Sequence, residues 1–281
     1  CLHRVKDSLK HLIVEPMLFE NMGIKYIGPI DGHDIELMND VFSKAKSIKG
    51  PVIIHTITQK GKGYEFAEKN PNKFHGVSPF DLESGESFMS PKKTYSKVFG
   101  DAMIEFAKED SDIVAITAAM PDGTGLKEFA NIYKNRFFDV GIAEEHAIAF
   151  ASGIASQGGK PVVSILSSFV QRTYDQLSQD LAINNNPALI MVSGGGITGG
   201  DVIHLGIFDI PLISNIPNIV YLAPTNREEY VAMIEWGIEQ KNYPVAIRVP
   251  NGNVVSTGVK VESNFENLNT YEKNIEGTEV A

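Results

Sequence analysis

The strongest constraint on the fold is a repeated alternation of short apolar segments with amphipathic segments of helical period. The apolar segments are rich in Val and Ile, which is typical of strands buried on both faces. Helix alternating with strand predicts crossover connections and a parallel sheet covered by helices. We therefore predict an α/β fold with a doubly wound parallel sheet. The predicted strands are 25–28, 52–58, 113–117, 137–140, 162–166, 188–192, 219–222 and 245–249, and the predicted helices are 34–47, 95–109, 143–157, 169–183 and 227–239.

A polar stretch without periodicity separates two regions of this alternation. Residues 83–94 are rich in Ser, Gly and Pro, which is typical of a linker between domains. The segment 253–281 is rich in Asn and Glu and is weakly patterned, so it predicts a second linker. We therefore expect domains at 1–82 and 95–252. Because the chain lacks an initiator Met and ends without a closing element, we expect a piece of a longer protein.

Charge and cysteine content restrict the class of partner. The chain has 25 Lys plus Arg against 35 Asp plus Glu, a formal net charge of −10. Without a basic face, neither nucleic acid nor an anionic membrane is expected as the main partner. Small molecules or proteins are the favoured partners. A single cysteine, and no apolar run long enough to cross a bilayer or to form a signal peptide, favour a cytoplasmic protein.

Two adjacent carboxylates, Glu144 and Glu145, enter a predicted helix directly after the strand 137–140. One interpretation is a favourable interaction of acidic residues with the helix dipole. The other is a partly desolvated carboxyl group that shares a proton with a ligand nitrogen. Ligands of open parallel sheets bind beyond the carboxyl ends of the strands. The position therefore favours the second interpretation.

Other polar segments also follow predicted strands. Residues 167–176 could be a capped amphipathic helix or part of a site, and 26–34 and 55–64 could be solvated turns or part of a site. The glycine cluster 194–200 permits a close backbone approach to a ligand but has neither phosphate-loop nor dinucleotide spacing. The spacing of the seven histidines fits no compact zinc motif, so no histidine metal site is predicted.

Four strings in this chain resemble a known family. They are 26–34 (YIGPIDGHD), 60–64 (KGKGY) with His75 fifteen residues after Lys60, 138–144 (FDVGIAE) and 169–176 (FVQRTYDQ). They are similar to the 1-deoxy-D-xylulose-5-phosphate synthases, thiamine diphosphate-dependent relatives of transketolase, from about residue 14 to 255. The resemblance implies that 1–82 is the end of a diphosphate-binding domain and that 95–252 is a pyrimidine-binding domain. The fold implied is the doubly wound sheet of thiamine diphosphate-binding enzymes, with the end of a second similar domain before it.

The resemblance also implies a reaction. Pyruvate and an aldehyde, glyceraldehyde 3-phosphate in the family, are joined with loss of carbon dioxide to give a 1-deoxyketose phosphate. The cofactors implied are thiamine diphosphate and Mg²⁺, and the assembly implied is a homodimer. Two pathways, isoprenoid and thiamine biosynthesis, stay open.

By the same resemblance, Glu144 exchanges a proton with the pyrimidine ring of the cofactor. Phe169 stacks on that ring with Arg172 beside it, and Met120 lies near the cofactor or in the core. The candidates for contact with the cofactor's phosphate and for proton movement at the substrate are His33, Lys60, His75 and His204, with Asp201 beside His204 at the substrate.

The chain departs from the family at several positions. The family's Asp-Arg-Ala-Gly reads Ser193–Gly196 here, and its Pro-Arg-Gly-Asn reads Pro250–Asn253. Its Asp-Gly-x-Thr-His is one residue shorter, at Asp201–His204, and Leu166 replaces a usual Tyr. The motif that binds magnesium and diphosphate is expected upstream of this chain, so the chain alone should bind the cofactor poorly.

Because both replaced arginines contact the acceptor's phosphate in the family, two alternatives stay open. The protein could use a different, non-phosphorylated acceptor, as a transketolase-like ligase. It could also be a non-catalytic paralogue that serves as a binding subunit.

Overall fold

The computed structural model describes residues 18–88, 94–197, 202–261 and 265, with the side chain of Ile203 left out. The chain divides into two units, Cys1–Pro91 and Lys92–Ala281. The domain limits inferred from the sequence remain predictions.

The first unit is built on two parallel strands with a helix between them. Asp34 begins that helix, because its side chain accepts a hydrogen bond from the Leu37 N–H at 2.9 Å. The first strand is longer than predicted, and two short helices lie outside the predicted elements. The elements are α1 (Leu18–Asn21), β1 (Lys25–Asp31), α2 (Ile35–Ala45), β2 (Val52–Ile57) and α3 (Glu65–Lys69).

The second unit contains a sheet of six parallel strands in the order β4-β3-β5-β6-β8-β7. Its strands are β3 (Ile113–Thr117), β4 (Phe137–Asp139), β5 (Lys160–Leu166), β6 (Leu189–Gly195), β7 (Val220–Leu222) and β8 (Val245–Pro250). Its α-helices are α4 (Tyr95–Glu109), α5 (Lys127–Ile132), α6 (Glu144–Ser156), α7 (Ser167–Val170), α8 (Asp209–Ile213) and α9 (Arg227–Glu239).

The hydrophobic core lies on both faces of this sheet. Along β6, Leu189 and Met191 join one buried cluster with α4 and α9, while Ile190 and Val192 join a second cluster with α6. Successive side chains of a strand point to opposite faces, so helices on both sides are required to bury such a run. The prediction of a doubly wound parallel sheet is confirmed.

The predicted helical stretch near 169–183 is helical, but the type of helix changes along it. The chain forms the short helix α7, a 3₁₀ turn at Gln171–Thr173 and a π-helix at Gln176–Ala182. Ser167, Val170 and Thr173 are buried at intervals of three residues. A 3₁₀ helix stacks residues at this spacing directly above one another, whereas in an α-helix each such step drifts by about 60° around the axis.

Candidate active site

All six strands of the larger sheet are parallel, so the segments that follow them emerge at one edge. Met120 follows β3, Glu144 follows β4 and Phe169 follows β5. These three strands are neighbours in the order β4-β3-β5. Three of the residues predicted for the site therefore come to adjacent positions on the carboxyl edge.

Glu144 is the first residue of α6, and its side chain is only 2% exposed. The Arg172 Nη1 donates hydrogen bonds to both carboxylate oxygens, at 2.9 Å to Oε1 and 2.8 Å to Oε2. The Arg172 side chain is 46% exposed, so the guanidinium connects the buried carboxylate to the surface. The hydrogen bond and charge of Glu144 raise the pKa of Arg172.

Arg172 also lies over an aromatic ring. Its guanidinium carbon is 5.2 Å from the centre of the Phe169 ring, a cation–π distance. On Phe169, the imidazole of His204 packs edge-on with ring centres 5.9 Å apart. Four predicted site residues thus form one chain of contacts, from Glu144 through Arg172 and Phe169 to His204.

The loops after β3 and β4 are held together by Asp139, the last residue of β4. Its Oδ1 accepts hydrogen bonds from the Ala119 N–H at 2.7 Å and the Gly141 N–H at 3.0 Å. Ala119 adopts φ +58°, a left-handed conformation that is unfavourable for alanine. Asp139 therefore positions both half-buried Met120 and the segment that leads into Glu144. Sequence reasoning missed Asp139, although an acidic residue at the carboxyl end of a strand could have drawn attention to it.

A second buried ion pair fixes the segment that carries His204. Arg248 Nε donates to Asp209 Oδ2 at 2.8 Å, and Arg248 Nη2 donates to the Gly206 carbonyl at 2.7 Å. Gly206 in turn pairs with Gly196 through two backbone hydrogen bonds. The Tyr221 hydroxyl also donates to Asp209 Oδ2, at 2.7 Å. Sequence reasoning missed this network, and its predicted substrate residue Asp201 lies outside the described residues.

Two of the three candidates in the first unit, His33 and Lys60, follow the strands of its small sheet. The His33 Nε2 accepts a hydrogen bond from the Gln59 N–H at 2.8 Å, which in a neutral ring leaves the proton on Nδ1. Lys60 follows Gln59 directly and is exposed. The ring of His75 is exposed, and no hydrogen bond joins it to another described residue. Lys60 thus lies one residue from the backbone partner of His33, and no hydrogen bond joins the ring of His75 to either residue.

Two kinds of feature are absent from the part of the chain that the structure describes. No group of three or more His, Cys, Asp or Glu side chains in that part is arranged to hold a metal ion. None of its helices is long and apolar enough to cross a membrane.

Comparison with known families identifies the family to which this chain belongs. Residues 91–256 match the family described as "Transketolase, pyrimidine binding domain", and residues 1–58 match "1-deoxy-D-xylulose-5-phosphate synthase". The chain therefore belongs to the transketolase pyrimidine-binding domain family. The predicted resemblance to the 1-deoxy-D-xylulose-5-phosphate synthases is confirmed.

Curated relatives give the more specific resemblance. The chain is 54% identical over 252 residues to the 1-deoxy-D-xylulose-5-phosphate synthase of Clostridium botulinum (strain Eklund 17B / Type B), covering 89% of this chain and 40% of that protein. It is 49% identical over 281 residues to the protein of that name from Clostridium perfringens (strain SM101 / Type A), covering 100% and 45%. The chain thus spans less than half the length of these relatives.

Solved structures support the fold. A split-gene transketolase described as an inactive beta4 tetramer matches with a TM-score of 0.54 at 24% identity, over 61% of this chain and 57% of that one. An R356L mutant of Pichia stipitis transketolase matches with a TM-score of 0.54 at 18% identity, over 59% and 27%. At these identities the likeness shows a transketolase-type fold.

Proposed function

We propose that this chain is part of a transferase that condenses pyruvate with an aldehyde, with loss of carbon dioxide, using thiamine diphosphate and Mg²⁺. The observation that carries the proposal is the buried carboxylate of Glu144 on the carboxyl edge of the sheet, linked through Arg172 to the ring of Phe169. The names of the curated relatives support the same reaction.

The residues at this edge suit an aminopyrimidine. A carboxyl group shielded from water can hold a proton at a ring nitrogen, and a phenyl face can stack on a flat heterocycle. Among the residues that the structure describes, only Arg172 forms a hydrogen bond to the Glu144 carboxylate. Glu144 can therefore pair with a ligand nitrogen if Arg172 gives up one carboxylate oxygen.

Each group then has a distinct task in the proposed reaction. When bound, thiamine diphosphate supplies an electron sink for the bond cleavage. Glu144 holds the proton at the pyrimidine nitrogen, Phe169 orients the ring, and Arg172 holds the Glu144 side chain in place. Met120, held by the Asp139 hydrogen bonds, borders the same site. Contact with the cofactor's phosphate and proton movement at the substrates are assigned to His33, Lys60, His75 and His204. Asp201 is assigned to the substrate beside His204.

The remaining parts of the proposal concern the whole protein. We place the ligands of Mg²⁺ and of the diphosphate on segments outside this chain. We also propose a homodimer that acts in the cytoplasm on small molecules. Its product would feed isoprenoid or thiamine biosynthesis.

The test compares Glu144→Gln with Glu145→Gln in the intact protein. Both changes remove one negative charge from the first turn of α6, but Glu145 is exposed whereas Glu144 is buried. Binding of thiamine diphosphate with Mg²⁺ is measured by calorimetry, and turnover by carbon dioxide release from pyruvate in the presence of an aldehyde. We expect Glu144→Gln to lose at least about a hundredfold in turnover, the range of general acid–base catalysis, with Glu145→Gln close to wild type.

Two results would contradict the proposal in different ways. Equal turnover in Glu144→Gln and wild type would remove the proton-holding role. Cofactor binding by the wild type without any turnover of pyruvate would favour a binding subunit.

A further inference from the structure

The carboxylate of Glu68 is bonded to both ends of the loop that carries Lys60, residues 59–64, which we call the 59–64 loop. Glu68 lies in α3 and is half-buried. Its Oε2 accepts a hydrogen bond from the Gln59 side-chain amide at 2.9 Å, and its Oε1 accepts from the Gly63 N–H at 2.9 Å. No ion pair joins Glu68 to any residue that the structure describes. Both of its oxygens therefore serve the loop.

The backbone of the 59–64 loop is folded into two successive turns. The Gln59 carbonyl accepts from the Lys62 N–H at 3.1 Å, and the Gly61 carbonyl accepts from the Tyr64 N–H at 3.1 Å. Gly61 adopts φ +85°, a left-handed conformation that suits glycine. A Cβ added to Gly61 would be 2.7 Å from the backbone of Ala67 in α3. The loop therefore packs directly on the helix that supplies the carboxylate.

Aromatic packing also supports α3. Tyr64, the residue directly before this helix, packs on Phe74 and Phe80, with ring centres 5.4 Å and 5.9 Å away. Its hydroxyl donates a hydrogen bond to the Leu82 carbonyl at 3.0 Å. These contacts hold the start of α3 in place, and Glu68 lies one turn further along the helix.

The 59–64 loop determines the hydrogen bonding of the His33 ring. The Gln59 N–H donates to His33 Nε2 at 2.8 Å, while Asp31 Oδ1 accepts from the His33 N–H at 2.8 Å. The first contact leaves the proton of the neutral ring on Nδ1, so the loop selects the tautomer. Glu68 holds the side chain of the residue that makes this contact. Lys60 forms no hydrogen bond or ion pair with any described residue, so its ammonium group is available to a ligand.

We propose that Glu68 is a positioning residue, which holds the 59–64 loop and thereby fixes the place of Lys60 and the tautomer of His33. The inference rests on the proposed function, in which Lys60 and His33 serve the cofactor's phosphate and the substrates. Glu68 itself touches neither cofactor nor substrate in this role. It acts through the Gln59 amide and the Gly63 N–H, the two groups to which its oxygens are bonded.

This role requires two hydrogen-bonding atoms at the end of the side chain and does not require a negative charge. A glutamine at position 68 meets the requirement. Its oxygen can accept from the Gly63 N–H, while its amino group donates to the oxygen of a rotated Gln59 amide. An alanine at the same position offers neither atom. Glu68→Gln should therefore keep the loop in place, whereas Glu68→Ala should release it.

The first readout is the tautomer of His33 in the intact protein, measured from the nitrogen NMR shifts of its ring at a pH where the ring is neutral. The wild type and Glu68→Gln should show the Nδ1–H tautomer, and Glu68→Ala should show a mixture of both tautomers. Glu65→Ala is the matched control and should resemble the wild type. Glu65 lies in the same helix, and among the described residues its exposed carboxylate bonds to Lys69 alone.

The second readout is turnover of pyruvate with an aldehyde. Glu68→Ala should lose about tenfold to a hundredfold in kcat/KM, the loss expected when site groups are misplaced but not removed. Part of the loss should appear as a higher KM for thiamine diphosphate, because Lys60 is assigned to its phosphate. Glu68→Gln and Glu65→Ala should stay close to the wild type.

An unchanged His33 tautomer in Glu68→Ala would overturn the inference. So would equal impairment of Glu68→Gln and Glu68→Ala, because the charge and not the hydrogen bonds would then matter. Gln59→Leu removes the amide that Glu68 holds but keeps the Gln59 N–H, so it gives an independent test if Glu68→Ala does not fold. It should produce the same mixture of tautomers, and a single Nδ1–H tautomer would contradict the inference.

The tautomer measurement also separates this inference from the proposed function. If the variants change the His33 ring as expected but the wild-type protein does not turn over pyruvate, the positioning role of Glu68 is supported and the proposed reaction is not.

Discussion

The Arg172 guanidinium and the Glu144 carboxylate, 28 residues apart in the chain, form an ion pair in which one nitrogen bonds to both carboxylate oxygens. The two partners differ sharply in exposure, at 46% for Arg172 and 2% for Glu144. A carboxylate that is buried this deeply needs a donor. Arg172 therefore contributes to stability as well as to the proposed chemistry.

Replacing Arg172 with Met should destabilise the second unit. The change leaves the Glu144 carboxylate buried without its donor, at a cost of about 1–3 kcal/mol. Arg227→Met is the control, because the Arg227 side chain is exposed and takes part in no ion pair among the described residues. A surface change of this kind costs at most about 0.5 kcal/mol of stability. The free energy of unfolding of both variants is measured by urea unfolding, followed by the fluorescence of Trp236, the single tryptophan of this chain. Equal losses in the two variants would refute the role given to Arg172.

Asp209→Asn should destabilise the protein more than Arg172→Met does. Asp209 is completely buried and accepts from both Arg248 and Tyr221. Losing its charge leaves the Arg248 guanidinium without a counter-ion, and breaking a buried pair in this way costs about 3–5 kcal/mol. Burial, together with the hydrogen bond to Asp209, raises the pKa of Tyr221, so this hydroxyl stays protonated. Tyr221→Phe should therefore lower the free energy of unfolding by about 1 kcal/mol, the net value of one hydrogen bond. Denaturant unfolding of both variants checks the ranking, and a smaller loss in Asp209→Asn than in Tyr221→Phe would contradict it.

Two helical glycines should respond in opposite ways to replacement by alanine. A Cβ on Gly100 of α4 would collide with the backbone carbonyl oxygen of Gly125, which cannot rotate away. A Cβ on Gly153 of α6 would meet nothing within 4 Å, and Gly153 is exposed. Gly153→Ala should stabilise by about 0.5–1 kcal/mol, the helix-propensity gain, whereas Gly100→Ala should destabilise despite the same gain. Thermal unfolding of the two variants tests this, and a stabilised Gly100→Ala would show that the packing between α4 and the Gly125 loop is softer than described.

The ion pair of Asp110 with Lys160 should make stability depend on pH. The Lys160 Nζ lies 2.7 Å from Asp110 Oδ2, and this hydrogen bond lowers the pKa of Asp110 below its ordinary value of 3.8. A carboxyl group with a lowered pKa in the folded state stabilises above its unfolded pKa, and the contribution disappears as pH falls through the folded value. The Asp110→Asn variant should thus be less stable than the wild type by up to about 1 kcal/mol at pH 6. The difference should vanish at a pH low enough to protonate Asp110 in the folded wild type. In a Lys160→Met background the pH-dependent part of that loss should shrink, and an unchanged pH profile would exclude Lys160 as its cause.

The elements that the sequence predicted best have strong local signals. The helix 95–109 and the helix 227–239 match the structure to the residue, because Thr94 and Asn226 cap them through their side chains. The short helices α5 and α8 were missed, since five or six residues carry too little periodicity. The changes of helix type within the predicted helical stretch 169–183 were missed, because burial at intervals of three arises only when the segment packs on the sheet.

The sequence by itself determined the alternation of strands and helices, and with it the edge of the sheet where Glu144, Phe169 and Met120 emerge. Periodicity and strand ends are local properties, so the chain reveals them before it folds. Only the tertiary structure decided that Arg172 pairs with Glu144, that Asp139 joins two loops, and that Arg248 is occupied by Asp209. These contacts join residues 20 to 39 positions apart in the chain. Their distances and burial depend on how the strands are ordered in the sheet, and no local pattern specifies that order.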